Sequence, residues 1–186
     1  MFQFTDLHTY FSGEKTISTV IGELILRHIN PKDTETKTRL QEIDKFTESL
    51  MPGDSFDETD FSQTNSERAI IGIYQKNTLL GWIYVYVPDK TQQNWLKKNV
   101  SENQFIEVSY AKHPKTPSGW MGTVFSYFTD IFCTLYPKTS LVGYAAHDNP
   151  KSAAILKKAG FTFSGNSFYE DTDVLPDDVY TFQRSL

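Results

Sequence analysis

N-P-K-S-A-A-I-L-K-K-A-G-F, residues 149–161, carries both ends of a short helix in its own residues. Asn149 is a good N-cap, because its side-chain oxygen can accept from an unpaired amide of the first turn. Pro150 suits the first helical position, where its missing N–H costs nothing. Lys157 and Lys158 fall in the last turn, where positive charge complements the helix dipole. Gly160 can turn left-handed and stop the helix, and Phe161 starts an apolar strand. On these grounds alone the stretch is a capped helix feeding a strand.

Working outward, residues 139–146 read as a strand and His147-Asp148 as the loop before the helix. Upstream, Trp120, Met121, Val124, Phe125, Phe128, Ile131, Phe132 and Leu135 recur at helical spacing, so a long helix with a wide apolar face is expected there. Tyr136-Pro137 stops it. Residues 104–112 (Q-F-I-E-V-S-Y-A-K) read as a strand with Phe105, Glu107, Ser109 and Ala111 on one face. Ile106, Val108 and Tyr110 lie on the other. A turn, H-P-K-T-P-S, leads from this strand to Gly119 and Gly122 at the helix start. Glycines there let a ligand approach the backbone, and the unpaired amides favour an anion.

Farther out, residues 69–75 and 79–87 read as a hairpin turning at Lys76-Asn77-Thr78. A short helix is expected around Trp95 and Leu96. Residues 23–29 read as a strand, and residues 33–49 as a helix with Leu40, Ile43, Phe46 and Leu50 at helical spacing. Residues 1–20 read as an irregular arm or short strand. The chain ends in strands over 161–168 and 178–184. One acidic loop holds Asp54, Asp57, Glu58 and Asp60; a second holds Glu170, Asp171, Asp173, Asp177 and Asp178. Repeats and linkers are absent, and residues 1–186 are expected to form one mixed α/β domain.

A chain of 186 residues can bury roughly 70% of its unfolded surface. A net charge of -5 argues against a nucleic-acid partner and favours a cationic one. The single cysteine, Cys133, excludes an intrachain disulfide and fits a reducing compartment. No basic leader precedes an apolar run, and no stretch approaches the ~20 apolar residues that span a bilayer. A cytoplasmic protein, monomer or homodimer, with no membrane partner is expected. The histidines lack metal-ligand spacing, and no G-x-S-x-G elbow supports a serine hydrolase.

Asn149, Ser152, Leu156, Lys158, Gly160 and Phe161 resemble the N-x-x-S-x-x-x-L-x-K-x-G-F segment of the GNAT superfamily of acyl-CoA-dependent N-acetyltransferases. The closest pattern is that of the branch acetylating ribosomal-protein N-termini. L-I-L-R at 24–27 resembles the family's first strand, and I-E-V-S-Y-A-K-H-P at 106–114 its fourth. Residues 116–121 fall on the family's Q/R-x-x-G-x-G/A pattern, with Gly119 matching. Thr116 departs from the glutamine or arginine, and Met121 from the small residue. The resemblance starts near residue 23 and leaves the first ~20 residues outside it. It implies an α/β (mixed α+β) fold: a central, mostly antiparallel sheet of six to seven strands flanked by helices. Its fourth and fifth strands, here 104–112 and 139–146, are parallel and splayed.

The resemblance further implies transfer of an acetyl group from acetyl-CoA to a primary amine by direct attack. The pantetheine arm would lie between the splayed strands, hydrogen-bonded by Asn149. The pyrophosphate would rest on the amides of Gly119, Trp120, Met121, Gly122 and Thr123, with Lys158 in the same cofactor-binding set. An N–H near Tyr110 or Ala111 would hold the thioester carbonyl. Glu107 would be the general base, because only a neutral amine attacks; a plainer role is to pair with a cation or face solvent. The tyrosine that many members place seven residues after the asparagine is Leu156 here. The implied proton donor is therefore Ser152, which is counted with the cofactor set and has a plainer role as a small first-turn residue. The acidic loops would border the acceptor, implying a cationic amine: a protein N-terminus, a polyamine or an aminosugar. The alternative is a non-catalytic acyl-CoA-binding regulatory module, which the departures at Thr116, Met121 and Leu156 keep open and the carboxylate at Glu107 counts against.

Overall fold

The alternating and hairpin-linked runs close into one sheet of eight strands in the order β1-β2-β3-β4-β5-β6-β8-β7. The computed structural model describes residues 2–30, 32–50, 67–100, 104–167 and 177–182. The strands are β1 (Lys15–Thr19), β2 (Gly22–His28), β3 (Arg68–Gln75), β4 (Thr78–Tyr86), β5 (Gln104–Lys112), β6 (Thr139–Ala145), β7 (Thr162–Asn166) and β8 (Asp178–Phe182). The helices among the described residues are α1 (Thr5–Tyr10), α2 (Thr34–Leu50), α3 (Lys90–Asn99), α4 (Met121–Leu135) and α5 (Pro150–Lys158). By contact, the chain divides into two compact units, Met1–Val85 with Tyr110–Trp120 and Tyr86–Ser109 with Met121–Leu186.

In the first unit, the expected six to seven strands become eight because the N-terminal arm contributes β1. It pairs antiparallel with β2 from Lys15↔Leu26 to Thr19↔Gly22. Only Ile17 is a large apolar residue in K-T-I-S-T, so this edge strand has almost no apolar signature. The turn needs Gly22, whose φ is +103°, and Thr19 Oγ1 donates to Gly22 O at 2.8 Å. The arm is docked by Phe4, Leu7 and Phe11, all fully buried.

β2 pairs antiparallel with β3, and β3 turns into β4 at Lys76-Asn77. α2 starts where Asp33 Oδ2 accepts from the Thr36 N–H at 2.9 Å. The hydrogen bonds from Thr36 hold the Asp33 carboxyl below its ordinary range. Leu40 and Ile43 are buried as their spacing predicts, whereas Phe46 is 38% exposed. Apolar spacing marks the side of a helix that meets the core, not how far around it the core reaches.

In the second unit, β5 and β6 are parallel, and β6–β8 and β8–β7 are antiparallel. The crossover from β5 to β6 runs through α4, which buries Met121, Val124, Phe125, Phe128, Phe132 and Cys133. Phe125 stacks on Phe161, ring centres 5.6 Å apart. α3 begins with a reciprocal capping box between Asp89 and Gln92. Its Leu96 packs with Phe105, Val142 and Val179.

β7 is shorter than the expected 161–168, since Phe161 and Ser167 fall outside it, and residues 168, 183 and 184 lie outside the described residues. So do both acidic stretches, apart from Asp177 and Asp178. Asp178 belongs to β8, opposite Ala145, and not to a loop.

Candidate acyl-transfer site

The β5–β6 ladder positions the first group. Its register runs Gln104↔Thr139, Phe105↔Ser140, Ile106↔Leu141 and Glu107↔Val142. Among the described residues no further pair joins the two strands, although β5 continues to Lys112 and β6 to Ala145. Glu107 therefore stands at the end of the paired stretch. It is 8% exposed, which sets aside the expectation that it faces solvent. A carboxylate is seldom so deeply placed. Ser109, two residues on, shares its face by the alternation of the strand.

The start of α4 and the end of α5 form the second group. Gly122 is buried in the first turn of α4, and a Cβ there would stand 2.8 Å from Lys158 Cδ. The missing side chain is thus what lets Lys158 lie across this turn. Ser126 Oγ supports the contact, bonding Gly122 O at 2.9 Å and Lys158 O at 3.3 Å. First-turn amides have no acceptor within their own helix, and the Lys158 stem lies beside Gly122 in this turn. Met121 is 3% exposed, so its bulk lies in the core and only its backbone could meet a ligand. Thr123 is half-buried.

α5 is the capped helix read from residues 149–161. Asn149 Oδ1 accepts from the Ser152 N–H at 3.1 Å, and Pro150 occupies the first turn. Gly160, with φ +91°, ends it. Ser152 is half-buried. Leu156 is fully buried, and a Cβ at Gly143 would stand 2.9 Å from its Cδ2. The position that carries a phenol in many members of the resembled family is here a core contact with β6.

The first unit holds the other predicted residues. Tyr110 and Ala111 are partly buried at the end of β5. Gly119 has φ +94° and is exposed. Trp120 is fully buried and donates from Nε1 to Pro117 O at 2.8 Å, so its side chain braces the turn and does not line a groove. Lys112 Nζ donates to Thr116 O at 3.1 Å, and the Thr116 N–H to His113 O at 3.0 Å.

Sequence reasoning missed one pair in this turn. His113 is 1% exposed, with Nε2 2.6 Å from Glu42 Oε2. Its Nδ1 accepts from the Lys115 N–H at 3.3 Å, so the proton sits on Nε2 and is donated to Glu42. That bond holds the Glu42 carboxyl below its ordinary range. Seventy-one residues separate the two, and no local pattern announces them. His147 bonds Asp178 at 3.1 Å on the surface and not its neighbour Asp148. Among the described residues, no group of three or more His, Cys, Asp or Glu could hold a metal. No described helix is long and apolar enough to cross a membrane.

No family model matches the sequence, and no curated protein matches it. Solved structures do match. An acetyltransferase (GNAT family) from Bacillus anthracis is 14% identical with a TM-score of 0.62, covering 91% of this chain and 97% of its own. RimJ of Mycobacterium smegmatis, solved with CoA-disulfide, is 12% identical with a TM-score of 0.66, covering 91% and 86%. The aminoglycoside acetyltransferase AAC(6')-Ib, solved with coenzyme A and kanamycin, is 11% identical with a TM-score of 0.63, covering 87% and 95%. At these identities the likeness is one of fold. The chain has the mixed α+β GNAT fold, with β5 and β6 as its parallel pair.

Proposed function

We propose that the protein is an acetyl-CoA-dependent N-acetyltransferase acting on a cationic primary amine in a reducing, cytoplasmic compartment. The observation that carries this reading is Lys158 lying across Gly122 at the first turn of α4. A lysine whose stem lies beside the first turn of a helix suits a phosphate group there. Several structures of similar fold were solved with coenzyme A or acetyl-CoA, which supports the same donor here. The match of residues 149–161 to the ribosomal-protein branch puts a protein N-terminus among the acceptors, beside polyamines and aminosugars.

In this reading, the amides of Met121, Gly122 and Thr123 and the Lys158 ammonium hold the pyrophosphate. Asn149 holds the pantetheine arm. Glu107 takes one proton from the acceptor ammonium. The freed lone pair forms the C–N bond as the C–S bond breaks, and the amine's second proton neutralises the departing thiolate. Ser152 Oγ is the group on α5 that would pass that proton on.

The test is release of coenzyme A from acetyl-CoA in the presence of peptides, polyamines and aminosugars. Transfer to cationic amines is expected, and a preference for neutral or anionic amines would defeat the acceptor assignment. Glu107→Gln is expected to lower turnover at least ~10-fold with acetyl-CoA affinity unchanged, since a positioned base contributes ~10²–10⁴-fold. Unchanged turnover removes Glu107 from the mechanism. Binding of acetyl-CoA without transfer to any amine would favour the regulatory module.

A further inference from the structure

Ser109 carries a buried hydroxyl whose Oγ has no hydrogen-bond partner among the described residues. A serine hydroxyl offers one donor and two acceptor positions, and leaving all of them unmet inside a protein is unfavourable unless something from outside meets them. The position adds to this. Ser109 lies two residues beyond Glu107 on the same strand face, just past the last register pair of the β5–β6 ladder. Residues two apart on a strand are about 6.6 Å apart along it. One water with hydrogen bonds of about 2.8 Å on each side spans about 5.5 Å, so a single molecule fits between the two side chains.

We infer that Ser109 is a positioning residue for acetyl transfer, its hydroxyl holding the water that carries the amine proton to Glu107. The inference rests on the acetyltransferase reading above. The Ser109 O–H donates to the water oxygen, fixing one of its lone pairs. The other lone pair receives the proton of the acceptor ammonium, and the water passes one of its own protons to the Glu107 carboxylate. Water is regenerated, Glu107 is left protonated, and the amine is left neutral and able to attack. Without the hydroxyl the water is held from one side only.

The experiment compares Ser109→Ala, Ser109→Thr and Glu107→Gln, alone and with Ser109→Ala added to Glu107→Gln, in the full chain. Ser109→Ala is expected to lower kcat/KM for the amine about 10-fold, a part of the ~10²–10⁴-fold that general-base catalysis supplies. KM for acetyl-CoA should stay within about twofold, since only the proton path is touched. Ser109→Thr, which keeps a hydroxyl, should recover most of the loss. Ser109→Ala should add nothing to Glu107→Gln, because both act through one path. Its Tm should stay within about 2–4 °C of wild type, because the hydroxyl bonds the water and no protein group. Activity of Ser109→Ala within twofold of wild type overturns the inference while leaving the acetyltransferase reading in place. A drop in Tm with a raised KM for acetyl-CoA overturns it in favour of a packing role. No acetyl transfer by the wild-type chain overturns the reading and this inference with it.

Discussion

Gly122→Ala separates stability from cofactor affinity. A Cβ at Gly122 would stand 2.8 Å from Lys158 Cδ, 3.6 Å from Cγ and 3.7 Å from Cε. Carbon atoms rest at roughly 3.5–4.0 Å, so Cδ must withdraw by about 0.7 Å or more. Because the stem pivots near its base, the ammonium moves farther, on the order of 1–1.5 Å. The clash is with a flexible stem, and its relief costs about 0.5–1.5 kcal/mol of rotamer energy. Against that, alanine is better than glycine in a helix by up to ~1 kcal/mol. The two nearly cancel, so the Tm of the ligand-free protein should move by no more than about 2–4 °C. Affinity has no such compensation. A charge-assisted hydrogen bond contributes about 1.5–3 kcal/mol, and losing most of one weakens acetyl-CoA binding about 10-fold or more. Thermal melts with and without coenzyme A read both quantities at once, because a ligand raises Tm by an amount that grows with the logarithm of its concentration over Kd. The ligand-free Tm should hold while the shift produced by coenzyme A shrinks. Lys158→Ala should reproduce the loss, and the double variant should be no weaker than Lys158→Ala. Unchanged coenzyme A affinity in both single variants would refute the assignment of this turn to a phosphate.

Two further outcomes follow from the packing. Glu42 has a lowered carboxyl pKa through its bond from His113, so its contribution is complete above the ordinary glutamate value of about 4.3 and fades as pH falls from there through the lowered pKa of the folded state. Glu42→Gln should therefore lower Tm at pH 7 and differ progressively less from wild type below about pH 4.3; a difference that grows in acid would contradict the assigned bond. At Gly143, a Cβ would stand 2.9 Å from Leu156 Cδ2 and 3.5 Å from Val108 O. Gly143→Ala should overpack the α5–β6 contact and cost about 1–3 kcal/mol in urea denaturation, and an unchanged midpoint would mean that Leu156 is not held there.

What could be read in advance divides by the range of the interaction. The helix over residues 149–161 was legible because cap, proline and terminal glycine act within a single turn of chain, and each falls where expected. The hairpin at Lys76-Asn77 and the start of α2 are local in the same way. The helix expected around Trp95 and Leu96 is α3, and its start is fixed by an Asp89–Gln92 capping box that the sequence reading missed. β1 was not legible, since an edge strand of mostly polar residues leaves little apolar alternation to find. Trp120 and Met121 show the limit of a motif match: the pattern assigns their positions to a cofactor loop, while both side chains go into the core. Glu42 meeting His113, and Lys158 meeting Gly122, are products of folding. For Lys158 the motif supplied the residue but not the contact.

Asn149 seemed to face a conflict, as one side chain cannot fully cap a helix and bind a ligand with the same atom. The observed bond resolves it by dividing the amide. Oδ1 accepts from the Ser152 N–H, so the acceptor end of the side chain is committed to the helix. The NH₂ end, which can only donate, is uncommitted, and one lone pair of Oδ1 remains beside it. If the pantetheine arm lies where the family resemblance implies, the Asn149 NH₂ end can donate to a carbonyl oxygen of that arm while Oδ1 holds the cap. The same bond commits the Ser152 N–H to the cap, so Ser152 has only its hydroxyl to offer the chemistry. The cap thus biases which half of each side chain acts. On the proposed reading this stretch orients the donor, and the proton that must leave the amine falls to Glu107 at the end of the β5–β6 ladder.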